Sequence, residues 1–222
     1  MFTKYVLIPG AGGAAWYWSR VIPHLLTAGH DAVAVDLPGD DESAGLTEYA
    51  HLVERAIGHS KHVVLVAQSL GGFTAPLVAA HRGVGELILV NAMIPLPGET
   101  PGAWWENTGW EEARTAAAID GGYSTEFTDD IYFLHDISPE VAAEGLPHQR
   151  PEVGAVFAST CDFSSWPDIP IRVLSGRHDR FFPLDFQRRV ANERLGIEPD
   201  VVPGGHLVAL ANPRGLADYL LS

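Results

Sequence analysis

The fold of this chain is indicated first by residues 63–72, which read Val63-Val64-Leu65-Val66-Ala67-Gln68-Ser69-Leu70-Gly71-Gly72. The first four residues are β-branched or aliphatic, as in a buried strand, and an apolar helix pattern begins at the glycines. A sharp turn from strand to helix holds the serine between them out above the sheet. Such a turn needs small residues two positions before and after the serine, here Ala67 and Gly71. Ser69 is therefore a candidate nucleophile.

Strand and helix patterns alternate on both sides of this turn. Strands are predicted at residues 4–9, 31–37, 62–67, 87–90, 171–175 and 200–202. Helices are predicted at residues 19–28, 47–57, 71–81 and 183–195, and a last helix begins at Pro213 with Asn212 as its N-cap. Alternation of this kind predicts an α/β fold, with a mostly parallel sheet and helices on both faces.

The alternation stops between residues 92 and 166 and resumes with the strand predicted at 171–175. The intervening segment concentrates aromatic side chains, namely Trp104, Trp105, Trp110, Tyr132, Phe133 and Trp166. We therefore expect an α/β core formed by residues 1–91 and 167–222, with a mainly helical cap formed by residues 92–166 inserted into it. Over a site at Ser69 this cap would shape the substrate pocket, which Trp16 and Phe133 are expected to line.

Two further side chains are predicted to lie beside Ser69. The strand at 171–175 is followed by Gly176-Arg177-His178-Asp179, and the strand at 200–202 by Pro203-Gly204-Gly205-His206. Open α/β sheets place their sites at the carboxyl ends of the strands, so Asp179 and His206 should both reach that edge. Taken singly, Asp179 could cap a helix and His206 could bond to backbone. The chain order serine, acid, histidine favours a catalytic triad.

The glycine-rich turn Pro9-Gly10-Ala11-Gly12-Gly13 follows the first predicted strand. It lacks the G-x-G-x-x-G spacing of a dinucleotide site and the lysine of a phosphate-binding loop, so a nucleotide site is rejected. Beside a serine nucleophile, backbone N–H groups of Ala11 and Leu70 are expected to stabilise the oxyanion of a tetrahedral intermediate. A loop without that role is the alternative.

Composition excludes several classes of protein. Of the 222 residues 46% are apolar and 19% are charged, which is typical of a folded domain and not of a disordered chain. The formal net charge of −14 leaves no basic surface for a nucleic acid. The single cysteine, Cys161, cannot form an internal disulfide, and the spacing of histidines and cysteines predicts no metal site.

The sequence also predicts where the protein works and what it meets. No apolar run approaches the roughly 20 residues of a membrane-spanning helix. The run after Lys4 ends at Pro9-Gly10, before it reaches the length of a secretory signal. We therefore expect a cytoplasmic enzyme that acts on a small molecule, with neither a membrane nor a nucleic acid as partner. The sequence does not decide whether the protein is a monomer or a homodimer.

These motifs together resemble the α/β-hydrolase superfamily, in the branch of plant methylesterases and hydroxynitrile lyases. The likeness includes residues 9–18, Gly29-His30, residues 35–39, the turn at Ser69 and Gly205-His206, and it extends in order over nearly the whole chain. The resemblance implies that Ser69 is the nucleophile, His206 the base and Asp179 the orienting acid. It implies that Ala11 and Leu70 donate to the oxyanion, and that no cofactor is needed.

The chain departs from this family's pattern at three positions. Pro9 stands where a histidine is common, and Ala67 stands where the turn usually has glycine. The lyases of the branch have a lysine directly after the catalytic histidine, and here that residue is Leu207. Lyase activity on cyanohydrins is therefore not expected.

The resulting expectation is a cofactor-independent serine hydrolase that cleaves a small, neutral, apolar carboxylic ester. A small-molecule receptor of the same fold with little turnover, or a C–C bond hydrolase, is the alternative, because a fold does not choose the leaving group. The net charge of −14 disfavours substrates with a carboxylate. A preference for substrates with a carboxylate would require that arginines of the cap, such as Arg114 or Arg150, line the pocket.

Overall fold

The computed structural model describes residues 2–80 and 83–222. Its strands are β1 (Lys4–Ile8), β2 (Asp31–Ala34), β3 (Val63–Gln68), β4 (Val84–Val90), β5 (Ile171–Gly176) and β6 (Asp200–Val202). Within the described residues these six strands form one sheet in the order β2-β1-β3-β4-β5-β6, with every neighbouring pair parallel. The expected α/β fold is confirmed.

The strand order places one crevice of the sheet between β1 and β3. Lys4 pairs with Asp31 of β2 on one side and with Val63 of β3 on the other. The chain therefore moves outward from β1 to β2, returns, and continues from β3 in the opposite direction. Loops leaving the carboxyl ends of the strands diverge at such a reversal and leave room for a ligand. The glycine-rich turn after β1 and the turn at Ser69 after β3 both lie there.

The α-helices are α1 (Ile22–Thr27), α2 (Leu46–Ile57), α3 (Gly71–Ala79), α4 (Pro101–Thr108), α5 (Trp110–Gly121), α6 (Asp129–Tyr132), α7 (Pro139–Gly145), α8 (Gly154–Ala158), α9 (Leu184–Leu195), α10 (Val208–Ala211) and α11 (Pro213–Leu220). Short 3-10 helices cover Ala15–Trp18 and Leu146–His148. The predicted cap of α11 is observed, because Asn212 Oδ1 accepts from the N–H of Gly215 at 3.1 Å.

Two predicted helices differ from the observed ones by more than one residue. The helix predicted at residues 19–28 begins at Ile22, because Pro23 has no N–H and is accommodated only in the first turn of a helix. The residues before it form the separate 3-10 helix Ala15–Trp18. The helix predicted at residues 71–81 is observed as α3, and its predicted last residue, His81, lies outside the described residues.

Two strands differ from the predicted bounds by three residues, and three others differ by one residue at one or both ends. Strand β2 ends at Ala34 and not at Leu37, whose N–H donates to the carbonyl of Gly13 in the turn after β1. Strand β4 begins at Val84, three residues before the predicted start, with a register irregularity in its pairing at Val63 and Val64. Glycine and glutamate at residues 85 and 86 weaken the strand pattern there.

Buried apolar side chains form one cluster on each face of the sheet. Alternate residues of β1 enter different clusters, since Val6 and Ile8 face one and Tyr5 and Leu7 face the other. Both clusters consist of fully or nearly fully buried side chains. The near-continuous apolar strands of the sequence are thus explained by burial on both faces.

The helices α4–α8 lie between β4 and β5 in the chain. Two of them begin at a Thr-Pro or Ser-Pro pair: Thr100 Oγ1 accepts from Ala103 N–H at 3.1 Å, and Ser138 Oγ accepts from Val141 N–H at 3.3 Å. The segment does not stand apart from the sheet, because Trp104 is fully buried in the same cluster as Leu65 and Ala67 of β3. Part of the aromatic content of residues 92–166 is therefore ordinary core.

The structure also bears on three other points of the sequence: membrane-spanning helices, metal-binding groups and the single cysteine. Residues 2–80 and 83–222 include no helix with both the length and the apolarity to cross a membrane. The same part of the chain has no group of three or more His, Cys, Asp or Glu side chains arranged to hold a metal ion. Burial raises the pKa of the Cys161 thiol to about 12, and its Sγ lies 3.2 Å from the carbonyl oxygen of Phe73. The thiol is therefore unreactive.

Candidate active site

Ser69 lies on a sharp turn between β3 and α3. Its φ of 49° falls in the left-handed region, which costs a residue with a side chain about 1–3 kcal/mol. Two backbone hydrogen bonds hold the turn: Ser69 N–H donates to Val90 O at 3.3 Å, and Met93 N–H donates to Ser69 O at 3.0 Å. The serine side chain therefore projects from the carboxyl edge of the sheet, where the sequence predicted it.

The residues two positions from Ser69 are small for a steric reason. A Cβ on Gly71 would lie only 2.7 Å from the carbonyl oxygen of Pro9, closer than real Cβ atoms approach an oxygen. Ala67 is fully buried in β3, so its methyl group fits where the family usually has glycine. Because Gly71 packs against Pro9, the glycine-rich turn sits directly on the turn that carries Ser69.

Ser69, His206 and Asp179 form one chain of hydrogen bonds. His206 Nε2 lies 3.0 Å from Ser69 Oγ, and His206 Nδ1 lies 2.8 Å from Asp179 Oδ2. The three residues are 7%, 2% and 5% exposed. With its proton on Nδ1 facing the carboxylate, the imidazole presents a lone pair at Nε2 to the serine hydroxyl. The structure thus brings together all three side chains that the sequence selected.

The carboxylate of Asp179 is held at both oxygens. Oδ1 accepts from the N–H groups of Phe181 and Phe182 at 2.9 Å and 2.8 Å. Oδ2 accepts from Gln187 Nε2 at 3.2 Å as well as from His206. Sequence analysis did not find Gln187, which lies on α9 and also accepts from Ser175 Oγ at 2.8 Å. A carboxylate fixed in this way keeps the imidazole in one orientation.

Asn91 is a buried residue that joins the loops carrying Asp179 and His206. It follows β4 directly and has a φ of 44°. Its Nδ2 donates to the carbonyls of Gly205 and His206, both at 3.0 Å, and its Oδ1 accepts from Gly176 N–H at 2.7 Å. Sequence analysis missed this residue. The available signal was an asparagine directly after an apolar strand, a residue that tolerates the left-handed region.

Three phenylalanines surround the ring of His206. The ring centroids of Phe181 and Phe182 lie 4.9 Å from that of His206, and that of Phe133 lies 5.3 Å away. Phe182 meets the imidazole edge to face, at an interplanar angle of 89°. These rings pack around the imidazole and contribute to its burial. They also restrict the access of water to the Asp179–His206 bond.

The two residues whose N–H groups are expected to bind an oxyanion lie beside the cavity at Ser69. Ala11 and Leu70 both line this cavity. Among the hydrogen bonds of the described residues, neither of these N–H groups has an acceptor. The turn around Ala11 is closed by Gly13 N–H, which donates to Gly10 O at 3.1 Å. Two unpaired donors beside a serine are what a developing oxyanion requires.

A cavity of about 430 Å³ opens above Ser69 and His206. Its walls are mainly apolar and include Trp16, Tyr17, Met93, Trp105, Phe133, Phe157, Phe181 and Leu207. Trp16 stacks on His148 with the ring centroids 5.3 Å apart. The structure thus places both Trp16 and Phe133 on the cavity wall. Residues of α6, α7 and the 3-10 helix Leu146–His148 also line it, so the segment 92–166 supplies much of the roof.

Few side chains that line this cavity carry a charge. Of the lining residues in the described part of the chain, Asp129 and Arg150 carry formal charges at neutral pH. Arg150 makes a two-pronged ion pair with Asp36, at 2.8 Å and 3.1 Å. Arg114 lies elsewhere, buried with its Nη1 on the hydroxyl of Tyr132 at 2.6 Å. No unpaired arginine therefore faces the cavity among the described residues.

Comparisons with known proteins agree with this architecture. A model of the alpha/beta hydrolase family matches residues 5–219 of the chain. Norfluorocurarine synthase 1 from Strychnos sp is 37% identical over 97% of this chain and 93% of its own length. Methylesterase 2 from Arabidopsis thaliana is 25% identical over 98% of this chain and 94% of its own.

The crystal structure of polyneuridine aldehyde esterase has the same fold. It superposes with a TM-score of 0.81 at 20% sequence identity and covers 100% of this chain and 98% of that chain. The family match spans nearly the whole sequence, and the relatives named above include a plant methylesterase, which confirms the resemblance drawn from the motifs. The chain belongs to the alpha/beta hydrolase family and is similar within it to plant methylesterases and norfluorocurarine synthase.

Proposed function

We propose that this protein is a serine hydrolase of carboxylic esters, with Ser69 as nucleophile, His206 as base and Asp179 as orienting acid. The observation that carries the proposal is the distance of 3.0 Å from His206 Nε2 to Ser69 Oγ, continued by 2.8 Å from His206 Nδ1 to Asp179 Oδ2. This geometry allows direct proton transfer from serine to imidazole. Relatives named as esterases support ester hydrolysis as the reaction class.

The proposed cycle has two halves that use the same groups. In the first, His206 Nε2 takes the proton of the Ser69 hydroxyl while Oγ bonds to the ester carbonyl carbon. The tetrahedral intermediate then collapses, and His206 returns the proton to the departing alkoxide. In the second, His206 takes a proton from water while the water oxygen bonds to the acyl carbon. The bond from the acyl carbon to Ser69 Oγ then breaks, His206 returns the proton to Oγ, and the carboxylic acid leaves. Asp179 remains ionised throughout and holds the imidazole.

The N–H groups of Ala11 and Leu70 act in both halves of the cycle. In this proposal they donate to the carbonyl oxygen as it gains negative charge. A single donor of this kind is worth about 2.7–4 kcal/mol in turnover in comparable sites. Because both are backbone groups, their positions depend on the turns at residues 9–13 and at Ser69 and not on side-chain identity.

The cavity favours a neutral ester with an apolar acyl or alcohol part. Binding of an apolar group against the aromatic walls is favourable because it removes apolar surface from water. The cavity volume of about 430 Å³ lies within the range typical of small-molecule sites. Asp129 on the wall repels an anion, and the guanidinium of Arg150 is paired with Asp36.

A covalent probe and a burst measurement test this proposal. A fluorophosphonate should label the parent protein at Ser69 and leave Ser69→Ala unlabelled, whereas the exposed serine variant Ser43→Ala should label like the parent. A chromogenic acetate ester should give a burst of one equivalent, followed by steady turnover. Labelling without any turnover would support the receptor alternative, and unchanged activity in Ser69→Ala would refute the proposal.

A further inference from the structure

The segment after the 3-10 helix Leu146–His148 crosses from the cap to the glycine-rich turn of the core. Residues 150–153 run along this turn and along residues 36–39. Val153 N–H donates to Gly39 O at 2.8 Å. The glycine-rich turn, which carries the expected oxyanion donor Ala11, and residues 36–39 are therefore in direct contact with a segment more than a hundred residues later in the chain.

Gly12, the residue after Ala11, is held by this segment through two hydrogen bonds and lies close to its backbone. Its N–H donates to Glu152 Oε2 at 2.6 Å, and its carbonyl accepts from Arg150 Nε at 3.1 Å. A Cβ on Gly12 would lie 2.5 Å from the carbonyl oxygen of Arg150, and its φ is +80°. The peptide groups on both sides of the Gly12 Cα are thus fixed by side chains of the cap segment.

Glu152 and Arg150 are themselves held by residues of the core. Tyr49 Oη donates to Glu152 Oε1 at 2.5 Å, and Arg150 makes its two-pronged pair with Asp36. Burial raises the pKa of Glu152, although the hydrogen bonds from Tyr49 and Gly12 act in the opposite direction. A partly buried carboxylate is thus kept at this position although burial disfavours its ionisation.

We propose that Glu152 is a positioning residue for the oxyanion site. By accepting the Gly12 N–H it fixes the peptide between Ala11 and Gly12, while the bond from Gly13 N–H to Gly10 O closes the turn on its other side. Ala11 then has one conformation, with its N–H free to face the oxygen attached to the carbon that Ser69 attacks. This inference rests on the proposed function, because it assumes that Ala11 N–H meets an oxyanion.

The expected effect falls on turnover more than on substrate binding. An oxyanion donor acts on charge that appears only in the transition state, so its displacement lowers kcat with little change in KM. Complete loss of one donor costs about 10²–10³ in kcat. Glu152→Ala leaves the donor in place but no longer aimed, so kcat should fall by about 10–100-fold.

The test compares three variants at position 152 with one control. Glu152→Ala removes the acceptor, and Glu152→Asp withdraws it by one methylene, so both should lower kcat. Glu152→Gln keeps an oxygen for the Gly12 N–H and should restore turnover to within about threefold of the parent. Glu144→Ala is the control, because it removes another carboxylate that joins the cap to the core, in its ion pair with Arg20 at 2.6 Å, and should leave kcat unchanged.

A second readout isolates the oxyanion itself. A trifluoromethyl ketone adds the Ser69 oxygen to its carbonyl carbon, with the serine proton passing to His206 and the carbonyl electron pair becoming an oxyanion. The matching methyl ketone binds without forming a stable adduct. Glu152→Ala should lower the affinity for the trifluoromethyl ketone by about 10–100-fold, the same factor by which it lowers kcat. It should leave the affinity for the methyl ketone nearly unchanged.

Failure of this inference can be told apart from failure of the proposed function. Unchanged ratios of the two ketone affinities in Glu152→Ala and Glu152→Asp, with Ser69 still labelled by the fluorophosphonate, would overturn the role of Glu152 alone. Equal losses for both ketones would assign Glu152 a structural role and also overturn the inference. If Ser69→Ala were still labelled by the fluorophosphonate and still turned over the ester, the proposed function itself would be refuted. If Glu152→Ala does not fold, Glu152→Asp decides the question.

Discussion

Ser69 has a backbone conformation that few residues with side chains adopt, and its neighbours explain how the conformation persists. Its φ of 49° is held by backbone bonds to Val90 and Met93, and the next strand end carries a second such residue, Asn91, at 44°. Strain at a functional position persists when the surrounding structure determines it strongly. Individual residues therefore carry the proposed chemistry only because specific neighbours hold them.

Single and double substitutions of the proposed triad test whether its members act as a unit. Ser69→Ala and His206→Ala should each lower kcat by a factor on the order of 10⁴ or more, and the double variant should lose no more than either single one. The reason is that neither group accelerates the reaction without the other. Steady-state kinetics on one neutral ester is the measurement. Losses that multiply in the double variant would show that the two groups act separately.

Asn91→Asp should destabilise the fold at the loops that carry Asp179 and His206. The carboxylate would present an oxygen where Nδ2 now donates to the carbonyls of Gly205 and His206. The buried carbonyl of Gly205 would lose its donor, which costs about 1–3 kcal/mol, while the carbonyl of His206 would keep the bond from Gln68 Nε2. Denaturant unfolding measures this loss, with Asn192→Asp, an exposed position on α9, as the matched control. Equal free energies of unfolding for the parent and Asn91→Asp would contradict the assignment.

At the scale of elements, the segment after β4 is pinned to α9 by a buried ion pair. Arg194 Nη2 lies 3.0 Å from Glu99 Oε1, which also accepts from Asn107 Nδ2 on α4 at 2.9 Å. Both charged side chains are almost fully buried. Burial opposes ionisation of Glu99, but the bonds from Arg194, Asn107 and the N–H of Leu96 outweigh it and lower the pKa below 4.5.

Glu99→Gln should lower the free energy of unfolding at neutral pH, because it leaves Arg194 buried without a countercharge. Removal of one partner from a buried pair costs about 3–5 kcal/mol. A lowered folded-state pKa stabilises the protein above the unfolded pKa, and this contribution is lost as the pH falls through the folded pKa. The difference between parent and variant should therefore shrink as the pH falls below 4.5.

Denaturant unfolding at pH 7 and at several acidic pH values checks this expectation. Glu193→Gln is the control, because Glu193 makes an exposed pair with Arg189 at 3.3 Å on the same helix. An exposed pair is worth about 1 kcal/mol or less. A difference between parent and Glu99→Gln that stays constant across the whole pH range would show that ionisation of Glu99 does not stabilise the fold.

On the scale of the whole molecule, charge and cavity act together on substrate choice. The formal net charge is −14, and the cavity walls are largely apolar. The negative field lowers the local concentration of anions, and this effect weakens with ionic strength. The fit of an apolar ester to aromatic walls does not depend on salt. The two contributions can therefore be separated in one set of kinetic measurements.

Neutral esters should have a kcat/KM at least about tenfold higher than the same esters with a free carboxylate. The ratio of kcat/KM between the neutral and the anionic esters should decrease at high ionic strength but stay above one. Asp36→Asn frees the guanidinium of Arg150 from its ion pair and should reduce this ratio further. A preference for the anionic series that persists at high salt would mean that Arg150 binds substrate carboxylates in the parent, and the apolar-substrate proposal would be wrong.

The sequence by itself determined the parallel sheet and the positions of Ser69, Asp179 and His206 on it. Those signals are local: apolar runs mark strands, and the residues that follow strands must lie at one edge. The apolar pattern predicts a helix from residue 19, whereas α1 begins at Ile22, because Pro23 fits only the first turn of a helix. The bounds of an element depend on a few local hydrogen bonds, which the apolar pattern does not report.

Only the tertiary structure decided which side chains hold the site in place. Glu152 meets Gly12 across 140 positions of the chain, Asn91 meets His206 across 115, and each contact depends on how separate loops pack. Sequence periodicity reports which face of an element is buried and not which distant polar group lies opposite. The supporting residues therefore have no local signature, because their hydrogen bonds form only when distant loops and residues 92–166 pack against the sheet.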